Sequence, residues 1–562
     1  MAHIVRRAKE AVAFVVGLLA IVVAYLLAMN FVKNPEISFL PYYTFRTLLR
    51  ITVTLGISAA WGVSFGILAA TNKVASIVLV PIIDVLQSVP ILGYFPAVIL
   101  FLTTLFHGSQ IGNELSAMLL LFTSMAWAIF FGVYGAIKGI PKNIIESADS
   151  FGLTGFRYVR HVILPAIVPA LISGSTLAWC DGWFFMIAAE YVVYLGATHS
   201  VPGLGYYLAK AAYVYNDFNL SVVLLILTTA IVLYLNFLTW HRLMEQASSG
   251  TYKPSIRLGL SGVGKLGTVA PRWLHVGDRI HRPKSLILLS KWLRRYTRLE
   301  KAIAFASFLI AAFVTVYFVA GQIPSVEAFR EAFSDPELAN LPVYVVLTLG
   351  RMSIAYVISL GIALGMGVLA AEHKKFAAIF YPIYDVGQAV PILALFPVFF
   401  VMLSRAFGGP IGLEMTAIIV LVLDMIWYMF LNVVSAVKNI PGEMKEVGRL
   451  FGFKGMKRIT HLIIPAILPA IVTGSILSWG TGWNTIIFAE YMPYELERFG
   501  GQPLTLPGLG SYLDKTGYLP PPKGNPIRLV FLLGVIAVIV LAMEGLVWRR
   551  LLRKFEKYRI EV

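Results

Sequence analysis

The chain has 562 residues, 58% of them hydrophobic and 13% charged, with a mean hydropathy of +0.78 and a formal net charge of +17. Such a composition cannot cover a soluble globule with an ordinary polar surface, so it excludes a soluble enzyme and describes a polytopic membrane protein. The single cysteine, Cys180, excludes an intrachain disulfide and a multi-cysteine metal centre.

Apolar stretches long enough to cross a bilayer as helix, about 20 residues, are predicted at 11–32, 47–71, 77–106, 113–137, 163–192 and 220–240. A matching set follows at 301–320, 345–371, 378–403, 412–437, 463–489 and 528–548. The first run follows His3, Arg6, Arg7 and Lys9; at about 22 residues it exceeds the usual core of a signal peptide and reads as a span. With both termini on the cytoplasmic side, 34 of the 46 Lys and Arg fall in the presumed cytoplasmic segments. The positive charge therefore reports membrane topology, with basic loops inside, and not nucleic-acid binding.

The chain repeats itself at an offset of about 300 residues, a tandem duplication. "TLLRITVTLGISAAWGVSFGILAATNK" (47–73) aligns with "TLGRMSIAYVISLGIALGMGVLAAEHK" (348–374), and "PIIDVLQSVPILGYFP" (81–96) with "PIYDVGQAVPILALFP" (382–397). "PGLG" recurs at 202 and 507. For the polar elements of both copies to lie on one side of the membrane, each copy needs an even number of spans. The expected architecture is all-α: about 12 transmembrane helices in two parallel six-helix repeats, residues 1–243 and 299–562. A basic cytoplasmic linker, 244–298, joins them. Its "GLSGVGKL" (259–266) has the spacing of a phosphate-binding loop, but Leu266 stands where Ser or Thr would hold magnesium and no apolar strand precedes it. It reads as a basic tether near anionic headgroups.

Each copy carries one polar, glycine-broken element: "ESADSFGLTGFRYVRHVILPAIVPA" from 146 and "EVGRLFGFKGMKRITHLIIPAILPA" from 446. Ile144, Ile145, Ala148 and Phe151 recur at helical spacing, which predicts a short amphipathic helix over 142–151. Gly152 fits its C-terminal cap, Thr154 can cap a second helix carrying Arg157 and Arg160, and Pro165 is expected to break that helix where the next span begins. A docking surface and an interfacial helix lying in headgroups both fit this pattern.

These residues resemble the coupling loop of permease subunits in ATP-binding-cassette importers. The matching positions are Glu146, Ala148, Gly152 and Pro165, then Glu446, Gly452 and Pro465. The proline-rich blocks with Asp84, Gln87, Asp385 and Gln388, the glutamates Glu190 and Glu490, and the two "PGLG" tracts resemble the nitrate, sulfonate, taurine and bicarbonate subfamily. Two departures stand out: the two permease units are fused in one chain, and the second loop reads Glu-Val-Gly where the first reads Glu-Ser-Ala.

The resemblance implies the type I importer permease fold in the cytoplasmic membrane of a prokaryote. It implies two cytoplasmic ATPase subunits clasping the loops at 141–162 and 441–462, with ATP and magnesium bound on those partners and no cofactor on this chain. An extracytoplasmic binding protein would deliver a small solute, an anion of the subfamily's kind. The alternatives are a permease for an amino acid or a cation, and a secondary transporter that needs no ATPase.

Ionisable and amide groups inside spans are costly unless they face a cavity or a partner. That makes Arg50, Asp84, Gln87, Asp181, Glu190, Arg351, Asp385, Gln388, Asp424, Asn484 and Glu490 the candidate pathway residues. Asp84 with Gln87, and Asp385 with Gln388, share a helix face, suited either to helix–helix hydrogen bonding or to lining the path. Arg50 and Arg351, near the outer ends of their spans, would snorkel outward or add positive potential at an anion's entrance. Asp181, Asp424 and Asn484 are not duplicated: Thr481, Ser124 and Phe184 stand opposite them. Asp424 would be either protonated and hydrogen-bonded or open to the path. Trp183 and Trp483 suit aromatic packing. His161 and His461, one imidazole per repeat, offer poor metal spacing, and no metal site is expected.

Overall fold

The computed structural model describes residues 34–88, 90–153, 155–194, 197–215, 217–241, 243, 326–491, 505–518 and 525–555. The expected spans at 11–32 and 301–320, the linker at 244–298 and the expected cap Thr154 lie outside the described residues.

The first copy begins with α1 (Leu40–Thr71), followed by α2 (Lys73–Ser88), α3 (Ile91–Leu105), α4 (Gln110–Lys138) and the short α5 (Lys142–Ser150). A π-turn at Val159–Ile163 leads into α6 (Leu164–Glu190), and α7 (Leu204–Ala209) and α8 (Phe218–Asn236) complete the copy. The second copy repeats this order as α9 (Leu341–Glu372), α10 (Lys374–Ala389), α11 (Ile392–Phe407), α12 (Gly409–Lys438), α13 (Gly442–Leu450), α14 (Ile464–Tyr491), α15 (Leu509–Tyr518) and α16 (Pro526–Met543). One departure from an all-α chain is a two-stranded antiparallel ribbon, Tyr191–Tyr194 paired with Ala197–Ser200.

Eight described helices are long and apolar enough to cross a membrane. The expected single spans 77–106 and 378–403 are each two helices instead, of 16 and 15 residues in the first copy and of 16 and 16 in the second. The breaks fall at Pro90 and Pro391, whose backbones are extended, with ψ of 123° and 100°. Proline cannot donate to the preceding turn and disfavours helical geometry in the residue before it, so the helix stops and restarts there. Hydropathy alone cannot see such a break, because both arms are equally apolar.

α1 shows how the bundle is built. Its inward stripe is mostly small or polar: Thr47, Arg50, Thr54, Ser58, Gly62, Gly66 and Ala69 are buried, with Ile51 among them. Large apolar side chains such as Phe45, Leu49 and Ile57 face outward, 61%, 47% and 50% exposed. This inversion suits a lipid surround, where close backbone approach and not apolar burial holds helices together. A Cβ added at Gly62 would lie 2.7 Å from Ile129 Cγ2, and one at Gly66 2.9 Å from Val133 Cγ1. Within each copy the central helix, α4 or α12, packs between α1 or α9 and the sixth helix, α6 or α14. Between copies, α3 packs on α14 and α15, while α10 and α11 pack on α8 and α6. Each copy thus lends its broken span to the other.

Candidate functional site

The polar element of each copy protrudes between the central helix and the sixth helix. α5 turns its Ala148 inward, 4% exposed, and ends with Gly152 at φ +64°. Leu153 N–H donates to Ala148 O and Gly152 N–H to Asp149 O, both at 3.0 Å, which is the paired Schellman closure that a left-handed residue permits. Gly452, at φ +69°, repeats it through Phe453 N to Gly448 O and Gly452 N to Arg449 O. Glu146 and Glu446 are exposed. So are Phe151 (82%), Leu450 (87%) and Phe451 (73%), an apolar tip standing clear of the bundle. Burial, aided by the Asp149 carboxylate, raises the Tyr158 phenol above its usual value.

The departure at the third loop position has a packing reason. A methyl at Gly448 would come within 2.8 Å of Leu462 Cδ2. In the first copy Ala148 carries that methyl, and the residue matching Leu462 is the shorter Val162. One carbon has moved from one side of the contact to the other.

Pro165 and Pro465 do not break their helices as expected. The chain runs as continuous helix from Val159 to Glu190 because a π-turn absorbs the defect: Leu164 N–H donates to Val159 O, and Ile464 N–H to Ile459 O. Widening the turn relieves the clash between the proline ring and the carbonyl four residues earlier. His161 and His461 are exposed beside their own helix carbonyls, Nδ1 lying 2.9 Å from Arg157 O and 3.2 Å from Lys457 O.

Arg50 and Arg351 neither snorkel nor stand at an entrance; they are 4% and 5% exposed. Arg50 is paired to Glu190 and donates from Nε to Glu114 Oε2 at 2.9 Å and from Nη2 to Pro202 O at 3.2 Å. Thr47 Oγ1 donates to Glu190 Oε1 at 2.6 Å and accepts from Leu204 N at 2.8 Å, while Gly205 N donates to Glu190 Oε2 at 2.7 Å. The second copy reproduces every link. Arg351 Nη1 donates to Glu490 at 2.8 Å and to Pro507 O at 2.9 Å, and its Nε donates to Glu414 at 2.8 Å. Thr348 bridges Glu490 and Leu509 N, and Gly510 N donates to Glu490 at 2.7 Å.

This network explains "PGLG" residue by residue. The proline carbonyl takes the guanidinium, the leucine N–H takes the threonine, and the last glycine N–H takes the carboxylate at a helix N-terminus. A Cβ at Gly203 or Gly508 would overlap that carboxylate. The arginine meets glutamate from the far end of another span, at its own depth. Sequence reasoning misses Glu114 and Glu414, although their alignment in "ELSA" and "EMTA" marks them.

Asp84 and Asp385 lie on α2 and α10, and their side chains lie outside the described residues. Gln87 is half-buried on α2, and Gln388 accepts from Tyr384 Oη at 2.7 Å within α10. Trp183 and Trp483, each 1% exposed, belong to the apolar core.

The unduplicated residues converge between the copies. Tyr428 Oη donates across the interface to Asp181 Oδ1 at 3.2 Å, and Thr485 Oγ1 donates to Asp424 Oδ2 at 2.8 Å. Asn484 Oδ1 accepts from Ile91 N at 2.7 Å, taking the first helical N–H after the Pro90 break. Among the described residues neither Asp181 nor Asp424 has a basic partner.

Residues 62–248 and 360–555 match the family described as binding-protein-dependent transport system inner membrane component. The chain belongs to this family. The match is double, so the permease carries two units. It is 27% identical over 164 residues to a putative aliphatic sulfonates transport permease protein of Bacillus subtilis (strain 168), covering 29% of this chain and 56% of that one. To a taurine transport system permease protein of Escherichia coli (strain K12) it is 25% identical over 165 residues, 29% and 55% of the two chains. To a nitrate import permease protein of Leptolyngbya laminosa it is 28% identical over 179 residues, 32% and 58%. The permease thus spans about half the length of the curated relatives it matches.

Proposed function

We propose that the permease forms the translocation path of an ATP-driven importer for a small anionic solute. In this reading it sits in the cytoplasmic membrane of a prokaryote with α5 and α13 on the cytoplasmic side. Two separate ATPase subunits, which bind ATP and magnesium, clasp the exposed tips at Phe151 and at Leu450 and Phe451. An extracytoplasmic binding protein brings the solute to the opposite face. The observation that carries the reading is the protruding, Schellman-capped amphipathic helix built twice in one chain, once for each ATPase. Large exposed apolar side chains at such a tip call for a covering partner. The anionic solute class is supported by the relatives, whose names specify sulfonates, taurine and nitrate.

The test is copurification of an ATPase with the tagged chain. Phe151→Asp with Phe451→Asp should abolish capture while leaving the chain's elution profile unchanged. Solute uptake by the purified chain alone, driven by an ion gradient, would overturn the reading in favour of a secondary transporter.

A further inference from the structure

The interface between the copies holds a crevice. On α6 from Ile172 onward the residues that keep part of their surface accessible, Ser173, Thr176, Leu177, Cys180, Asp181 and Phe184, fall on one helical stripe. On α14 the stripe is Thr473, Leu477, Thr481 and Asn484. Both stripes are most open near the loop face, where Ser173 and Thr473 are exposed, and from Phe185 to Glu190 every residue of α6 is buried. That these stripes face the other copy, and not lipid, follows from their bonds across the interface, Tyr428 to Asp181 and Ile91 to Asn484.

At the closed end of the crevice two groups retain hydrogen-bonding capacity. Asp181 Oδ1 accepts from Tyr428, and among the described residues its Oδ2 has no hydrogen-bond partner. The Ile91 N–H fixes the orientation of the Asn484 carboxamide, so Nδ2 remains a donor. Both groups are unduplicated: Thr481 replaces Asp181 in the second copy, and Phe184 replaces Asn484 in the first. A carboxylate with no basic partner repels an inorganic oxyanion and attracts an ammonium, while an amide N–H serves the oxygens of an acid group.

We propose that the closed end of this crevice is a solute-contact site for a solute bearing an ammonium group, held by the open carboxylate oxygen of Asp181. This rests on reading the interface as the translocation path. It replaces a simple anion by a solute whose acid group is accompanied by an ammonium, such as an amino-sulfonate, and leads away from nitrate or bicarbonate.

Cys180, the chain's only cysteine, lies beside Asp181 on the same stripe and reports the charge preference directly. The full-length chain in inverted vesicles is treated with cationic trimethylammonioethyl or anionic sulfonatoethyl methanethiosulfonate. Rates are normalised to those of each reagent on a free small thiol. The expected result is a preference of about tenfold or more for the cation, which opposite charges near one carboxylate produce at a protein's effective dielectric. The preference should fall several-fold in Asp181→Asn and stay unchanged in Gly56→Ala, a site with open space around it. Equal or faster reaction by the anionic reagent, or a preference untouched by Asp181→Asn, overturns the proposal and leaves the transport reading standing. No reaction by either reagent before unfolding, and full reaction after it, removes the crevice and the transport path with it.

Discussion

Replacing Arg50 by Met removes the guanidinium that, among the described residues, pairs Glu190, a carboxylate 1% exposed. Glu190 keeps the Thr47 hydroxyl and the Gly205 N–H but loses its counter-charge, and Pro202 O and Glu114 lose a donor. Breaking one side of a buried pair costs about 3–5 kcal/mol, because the survivor is left charged and dry. Removing both charges in Arg50→Met/Glu190→Gln leaves an amide that can still accept from Gly205, and the penalty should shrink to about 1–2 kcal/mol. Glu114 then still has Arg46 as its partner. The assay is unfolding of the full chain in mixed micelles with rising anionic detergent, followed by fluorescence of its 11 tryptophans. The coupling between the two sites should reach about 2 kcal/mol or more, the mark of residues in one network. Additive effects, or a single-variant loss below about 1 kcal/mol, would show that hydration and not pairing sustains Glu190, and would refute the reasoning.

Gly203→Ala and Gly508→Ala should each cost about 2–4 kcal/mol in the same assay, because a methyl there overlaps the glutamate carboxylate and dislodges it from its donors. Gly448→Ala should lower the melting temperature by crowding Leu462, at a cost of about 1–3 kcal/mol, and Gly448→Ala/Leu462→Val should recover most of it by restoring the first copy's arrangement. Asn484→Leu leaves the Ile91 N–H without its acceptor and should cost about 1–3 kcal/mol, read as faster hydrogen exchange at the start of α3; Phe184→Leu should leave that amide's exchange unaltered.

The duplication, the apolar spans and the amphipathic loop helices could be read from the sequence because each is written as a local pattern with a fixed period. The network around Arg50 could not, since its members come from residues 47, 50, 114, 190 and 202–205 and meet only when four elements pack. An arginine near a span end has two readings, snorkelling or pairing, and the choice depends on which helix ends at the same depth. Pro90 illustrates a different limit. The residue stands in plain view, but an apolar window passes over it, and only the extended backbone shows that two short arms replace one span. The unduplicated Asp181, Asp424 and Asn484 were visible as mismatches between the copies, yet nothing in the chain order says that they share one interface.

The π-turn that carries the helix past Pro165 has a mechanical meaning. Because helix runs unbroken from Gly155 through the π-turn into α6, a push on its loop end travels as rotation of a rod. One extra residue in the turn advances the rod's angular phase by about 100°. The loop-end face of the rod, which carries Arg157 and His161, and the face that looks into the interface are therefore set relative to each other by a single residue. Deleting one residue from 159–163 would keep both arms helical and aim the stripe bearing Asp181 away from the opposite copy, as a gear slipped by one tooth turns freely and drives nothing.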